Sequence, residues 1–190
     1  DADFTLPTVG IFYNGGNANI EVKMIGRSND LYYVAGDHHV RIRFNETLQV
    51  DDYYEGYDTE VFSFDVPVAS MSFINILNVE TVGDVFNPEY STASIDRNSL
   101  GYIFATYPRS FDMGNISILD FELNNDEDHY LEFENFNGGN SPVLYDVTNN
   151  IRIVPLLENG IYKVFLPQVQ NASEKRNLVL SSTTSPIAVS

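Results

Sequence analysis

Apolar and polar residues alternate with a period of two over much of this chain, the pattern of strands that bury one face. Ile20, Val22 and Met24 fall on one side of such a segment. So do Val40, Ile42 and Phe44, with Arg41 and Arg43 on the other side. Phe62, Phe64 and Val66 repeat the pattern, and Pro67 ends it. In the second half, residues 119–123 and 131–134 alternate, and residues 143–148, 151–154, 162–166 and 178–180 read as further strands. Residues 72–79 form a longer apolar run, a candidate central strand, and residues 4–12 and 31–34 give shorter ones.

Turn signals punctuate these runs. Asn14-Gly15-Gly16 is expected to supply the positive φ angles of a tight hairpin, and Asn159-Gly160 closes another. Residues 124–128 read as a polar hairpin connection, residues 50–57 as an acidic, tyrosine-packed loop, and residues 81–97 as loop-like. Gly101-Tyr102-Ile103-Phe104-Ala105-Thr106-Tyr107 reads as a buried strand. Pro108 stops it, because proline cannot donate to a ladder and holds the preceding residue extended.

Roughly a dozen short strands at ~8–12-residue spacing, with no convincing helix, predict an all-β, antiparallel β-sandwich with jelly-roll character. Two packed β units are one form of it: a jelly-roll-like sandwich over 1–108, a smaller unit over 109–182 and a linker-like tail over 183–190. A single shared core is the other, and periodicity does not choose between them.

Composition narrows function mainly by exclusion. The 190 residues include 13 Phe and 12 Tyr, aromatics that favour strands. Ten basic against 27 acidic residues give a net charge of −17, which excludes the Lys/Arg clusters that nucleic acid requires. No apolar run approaches the ~20 residues of a membrane-spanning helix, so no transmembrane segment is expected. Cysteine is absent, which removes disulfides, thiolate nucleophiles and cysteine-based zinc sites. The chain begins at Asp1 with no Met, as expected of a processed or trimmed piece.

Candidate chemistry is sparse. His38 and His39 are adjacent on a strand, hence on opposite faces, and are not expected to share one metal. His39 shares the outward parity of Arg41 and Arg43. No cofactor is expected, although the acidic turn admits calcium, with Asp126 and Asp128 as its candidate ligands. Tyr53, Tyr54 and Tyr57 could form a stacking platform for a sugar or peptide, or simply pack their own loop. Arg109 is a candidate contact for a partner, or a salt-bridge partner for a surplus carboxylate. Asn45, Asn115 and Asn171 open Asn-x-Ser/Thr triplets, which matter only in a glycosylating compartment.

Gly36-Asp37-His38-His39-Val40-Arg41-Ile42-Arg43-Phe44-Asn45, then Asp51-Asp52 and Gly56, resembles the region preceding the peptidase domain in gingipain-type cysteine peptidases. Within them the likeness is nearest to the PorU sortases of the type IX secretion system. Residues 102–109, ending Tyr107-Pro108-Arg109, resemble a strand of the same family. So does the strand containing Asp146-Val147-Thr148. The resemblance implies a non-catalytic β-sandwich module in an exported protein of the bacterial outer membrane or cell surface. It would contact an adjacent catalytic domain in cis, or the C-terminal domain of secreted cargo, or secretion-system components. The family's catalytic His and Cys have no counterpart here, so the chain itself is not expected to be an enzyme. A carbohydrate-binding jelly roll and a structural or adhesive surface domain are the alternatives.

Overall fold

The computed structural model describes residues 1–29, 36–87, 92, 93, 95–139, 141–170 and 174–182. It is all-β and divides into two compact units, Asp1–Arg109 and Ser110–Ser190. Each unit is an antiparallel sandwich with its own cluster of buried apolar side chains. The predicted strand at 31–34, part of the loop-like stretch at 81–97, the Asn171 triplet and the tail from Thr183 lie outside the described residues.

In the first unit the strands are β1 (Ala2–Pro7), β2 (Asn17–Gly26), β3 (His38–Phe44), β4 (Thr47–Tyr54), β5 (Thr59–Pro67), β6 (Ile74–Thr81), β7 (Phe86–Asn87), β8 (Thr92–Ala93) and β9 (Asn98–Thr106). One sheet has the order β1-β6-β3-β4, the other β5-β2-β9, and β7 pairs with β8. The chain passes between the two larger sheets at β1–β2, β2–β3, β4–β5 and β5–β6, the crossing habit of jelly-roll-like sandwiches. Alternation decides which face is buried. Ala18, Ile20, Val22 and Met24 of β2 face Val40, Ile42 and Phe44 of β3 and Leu77 of β6 in one core. Removing a side chain of this size from water stabilises the fold by about 1.5–3 kcal/mol.

The second unit holds β10 (Ile118–Asn124), β11 (His129–Phe133), β12 (Val143–Asp146), β13 (Ile151–Ile153), β14 (Leu156–Glu158), β15 (Ile161–Leu166) and β16 (Lys175–Ser181). Its sheets are β10-β16-β12-β13 and β11-β15-β14. Leu119, Leu144, Leu178 and Leu180 of the first meet Leu131, Phe133, Val164 and Leu166 of the second. Phe111, Phe121 and Phe133 pack edge to face, with ring centroids 5.1 to 6.0 Å apart.

Several local expectations change. Residues 13–17 make no hairpin: β1 pairs with β6 and β2 with β5 and β9, so the segment is a corner between sheets. Neither Gly15 nor Gly16 takes a positive φ. Residues 124–128 are likewise a corner, because β10 pairs with β16 and β11 with β15. Most of the expected loop at 50–57 is strand β4, paired along β3. The β3–β4 turn consists of Asn45 and Glu46 at φ 45° and 68°, a two-residue turn of the mirror-image type. Asn159 and Gly160, at φ 52° and 83°, turn β14 into β15 as expected. Finally, β9 is not a buried strand. It pairs with β2 alone among the described residues, burying one face and exposing Tyr102 and Phe104 on the other.

Candidate functional site

The most elaborate polar arrangement lies at the start of β3. Three backbone features open space for it. Gly36 adopts φ +107°, a left-handed conformation, with Tyr53 and Tyr54 so close that a Cβ would meet them at 2.9–3.1 Å. Gly56 turns β4 toward β5 at φ +54°. Gly26, ending β2, lies so near Gly56 and His38 that no side chain fits there. Asp37 then accepts the Gly56 N–H at 2.5 Å and fixes the turn.

His38 points to the interior and is fully buried. Its Nδ1 lies 2.7 Å from Asp96 Oδ1, and its Nε2 lies 2.7 Å from Gly56 O and 3.1 Å from Ser28 O. A carboxylate and a carbonyl only accept, so the arrangement calls for donation from both ring nitrogens, the hydrogen-bond pattern of an imidazolium. Burial pushes the His38 pKa down; hydrogen bonds to Asp96 and Gly56 and the charges of Asp96 and Asp37 more than offset it, and the net direction is up. Asp96 Oδ2 also accepts the backbone N–H of His39 at 3.0 Å, and Asn98 donates to Oδ1 at 2.8 Å. The Tyr54 ring lies 4.7 Å from His38, and its hydroxyl donates to Asn98 Oδ1.

His39 leaves the strand on the opposite face. Its parity is outward as expected, yet it too is buried, because Asp51 of β4 and Asp84 of the loop after β6 close over it. Nε2 lies 2.5 Å from Asp51 and Nδ1 2.6 Å from Asp84. The ring stacks on Tyr53 at 4.0 Å. Burial lowers this pKa as well, and the hydrogen bonds and charges of the two carboxylates more than offset it, for a net increase. Asp51 moves the other way, held low by its hydrogen bonds to His39 and Arg41. The same face continues as a ladder of pairs: Arg41 to Asp51 at 3.0 Å and Arg43 to Glu80 at 2.7 Å.

The chemical consequence is restrictive. An imidazole that donates from both nitrogens has no lone pair for a metal, and none to take a proton from a substrate. Among the described residues no group of three or more His, Cys, Asp or Glu side chains is placed to hold a metal ion. The calcium candidates Asp126 and Asp128 lie at the corner between β10 and β11. Asp128 accepts the Gln168 N–H at 2.7 Å, and Asp126 lies 3.8 Å from His129.

The structure does not assemble Tyr53, Tyr54 and Tyr57 into a platform. Tyr53 and Tyr54 are consecutive on β4 and face opposite ways, Tyr53 onto His39 and Tyr54 into the core, while Tyr57 is 70 % exposed in the turn beyond. Arg109 bridges to Ile11 through its backbone. Among the described residues its Nε and Nη2 have no hydrogen-bond partner and no ion pair involves it.

All three stretches that carry the family resemblance serve packing. The first is the histidine network. In the second, Tyr107 donates to Val9 O at 3.2 Å, and Pro108 accepts the Phe12 N–H and fills the space beside Gly15. In the third, Asp146 forms a fully buried pair with Arg176, with Nη2 to Oδ2 at 2.6 Å, and Thr148 accepts the Asn177 N–H at 2.9 Å. Asp84 and Asp96 carry no motif in the sequence. They lie in the stretch read as loop, and only their acidity marks them.

The described residues thus define a class of protein: two successive antiparallel β-sandwich units whose buried polar groups are satisfied mainly by one another. No family model and no curated protein matches the chain. Six solved chains are similar to it in structure. They include the crystal structure of dimeric latent PorU from Porphyromonas gingivalis, with a TM-score of 0.68 and 10 % sequence identity over 98 % of this chain. The likeness shows a PorU-like fold. The chain spans 18 % of the length of that PorU chain.

Proposed function

We propose that this chain is a non-catalytic accessory region of an exported, surface-located cysteine peptidase of the PorU sortase type. Its role is positional. It holds an adjacent catalytic domain in cis, or contacts the C-terminal domain of secreted cargo or another secretion component. One observation carries this reading: 98 % of the chain matches the fold of a stretch that is 18 % of PorU, while no cysteine is available as a nucleophile. The doubly engaged state of His38 and His39 supports the same view. A carbohydrate-binding module loses its main support, because Tyr54 is buried at 6 % exposure.

The test is the native polypeptide. Antibodies against this chain should detect, on intact cells, a protein several times larger than 21.4 kDa that external protease removes. Its tryptic peptides should include a segment with catalytic His and Cys. The purified chain alone should not cleave or ligate peptides. A native polypeptide of 21.4 kDa, a glycosidase segment in place of the peptidase, or peptide turnover dependent on a residue of this chain would each overturn the reading.

A further inference from the structure

Strand β9 stands apart from every other edge of the three- and four-stranded sheets. Edge strands offer unpaired N–H and C=O groups, and proteins blunt them with charge, proline or short length. The other edges of the first unit follow that rule, with Asp3 in β1, Asp51 in β4 and Glu60 in β5. Each edge strand of the second unit also carries at least one charged side chain, from Asp120 in β10 to Glu158 in β14. Strand β9, Asn98–Thr106, is nine residues long and carries none. In a chain of net charge −17 the absence is local and specific.

The strand is also dressed for contact. Ile103 and Ala105 pack on the core, whereas Phe104 is 59 % and Tyr102 42 % exposed on the solvent face. A register shift opposite Lys23 and Met24 leaves Gly101 as an extra residue, a bulge that interrupts the free edge on its N-terminal side. Beyond it, residues 102–106 run in regular register against β2, and Pro108 closes the far end. Among the described residues a five-residue window of open edge results, with Tyr102 and Phe104 on its solvent face.

We infer that residues 102–106 are a docking edge for an extended segment of another polypeptide, added to the sheet β5-β2-β9 as a further strand. Main-chain hydrogen bonds give such an addition its affinity, and alternate side chains give it specificity. The occupant is apolar at the positions that meet Tyr102 and Phe104, and carries net positive charge. The net charge of the chain, −17, sets its sign; locally Glu21 beside Phe104 is offset by Lys23 beside Tyr102, the Lys23 Nζ lying 6.0 Å from the ring centroid. A second copy of this chain would bring another −17 into the contact, so like-charge repulsion disfavours self-pairing. The inference concerns the edge itself and does not rest on the peptidase context proposed above.

The experiment titrates the purified chain with a short acetylated, amidated peptide of alternating Val and Lys. The peptide should bind, more weakly as salt rises, and should protect amides of residues 102–106 from hydrogen exchange. Methylating the peptide's amide nitrogens on the pairing side should abolish binding. Phe104→Lys places a charge on the exposed face of the edge without touching the core, and should weaken binding at least about tenfold while circular dichroism stays unchanged. A peptide of alternating Val and Glu should not bind. No binding of the Lys peptide, binding indifferent to N-methylation, or a Phe104-dependent dimer of the chain in sedimentation would overturn the proposal.

Discussion

His38 and His39 are consecutive, yet their rings leave β3 on opposite faces and each meets oxygen acceptors on both ring nitrogens. One closes the interior against Asp96 and Gly56, and the other closes the outer face against Asp51 and Asp84. Neighbouring positions on a strand thus tie together four segments that are distant in sequence: the end of β2, the β4–β5 turn, and the loops after β6 and before β9.

That arrangement fixes the sign of the pH dependence. Both histidines have folded pKa values raised above the ordinary 6.5. Their contribution is therefore complete below about 6.5 and is lost as pH rises through the folded values. Asp51, held below its ordinary 3.8, contributes above that value, and its contribution is lost as pH falls through the lower folded one. Stability should peak on the mildly acidic side of neutrality. The urea midpoint of the first unit should be lower near pH 9 than near pH 6. A midpoint that is flat or rising over that interval would mean that the rings are neutral when folded.

Replacing His38 isolates the interior half of the network. His38→Phe keeps an aromatic volume but leaves Asp96 short of a donor and Gly56 O unpaired in the core. Breaking a buried charged pair by removing one partner costs about 3–5 kcal/mol, and a loss in that range is expected in urea unfolding. A loss no larger than that of an exposed substitution would show that water replaces the ring.

Much of this was legible in the sequence, and the division has a physical basis. A period of two assigns faces, so the core residues of β2, β3 and β5 could be read directly. Periodicity says nothing about neighbours across the sheet. Hence β9 looked buried although it is an edge, and residues 124–128 looked like a hairpin although they join two sheets. Asn159-Gly160 was readable because its residue types suit positive φ. Asn45-Glu46 reads as the polar break that ends β3, but its turn type was not legible, since Glu rarely takes φ 68° and does so here where Asn45 is fixed by Asn75 and Ile76. His39 had the outward parity, and its burial comes from Asp84, 45 residues away, which no local pattern contains.

Glycine contacts give a sharper mutational test. A methyl group on Gly26 would lie 1.8 Å from Gly56 O and 2.6 Å from His38 Nε2, both held in place by hydrogen bonds. Gly26→Ala should cost more than about 3 kcal/mol or prevent folding of the first unit. Gly16→Ala is the control: nothing lies within 4 Å of its added Cβ, and the change should stay within about 0.5 kcal/mol. Equal melting temperatures for the two variants would contradict the packing at the His38 end.

The tyrosines can be separated in the same way. Tyr54 is buried against His38 and Phe62, so Tyr54→Ala should lower stability by about 3–5 kcal/mol. Tyr57→Ala, at an exposed turn, should change it by less than about 0.5 kcal/mol. Calorimetry against a polysaccharide panel should show no binding that depends on either residue in a folded variant. Saccharide binding lost in folded Tyr57→Ala would restore the carbohydrate reading.

In the second unit the decisive pair is Arg176 with Asp146, both essentially inaccessible to solvent. Arg176 also donates to Pro167 O at 2.8 Å, and Asp146 accepts the N–H and the side-chain amide of Asn149 at 3.0 and 2.8 Å. Arg176→Met leaves a buried carboxylate without its cation and should destabilise the unit by about 3–5 kcal/mol. The double variant Arg176→Met with Asp146→Leu removes both charges but strands the donors of the β12–β13 turn. It should recover part of that loss and not all of it, because the Asn149 N–H loses its acceptor. Hydrogen exchange of β12 and β16 amides reads the effect in the unit where it arises. A double variant no more stable than Arg176→Met would show that the turn, rather than the ion pair, is what Asp146 chiefly holds.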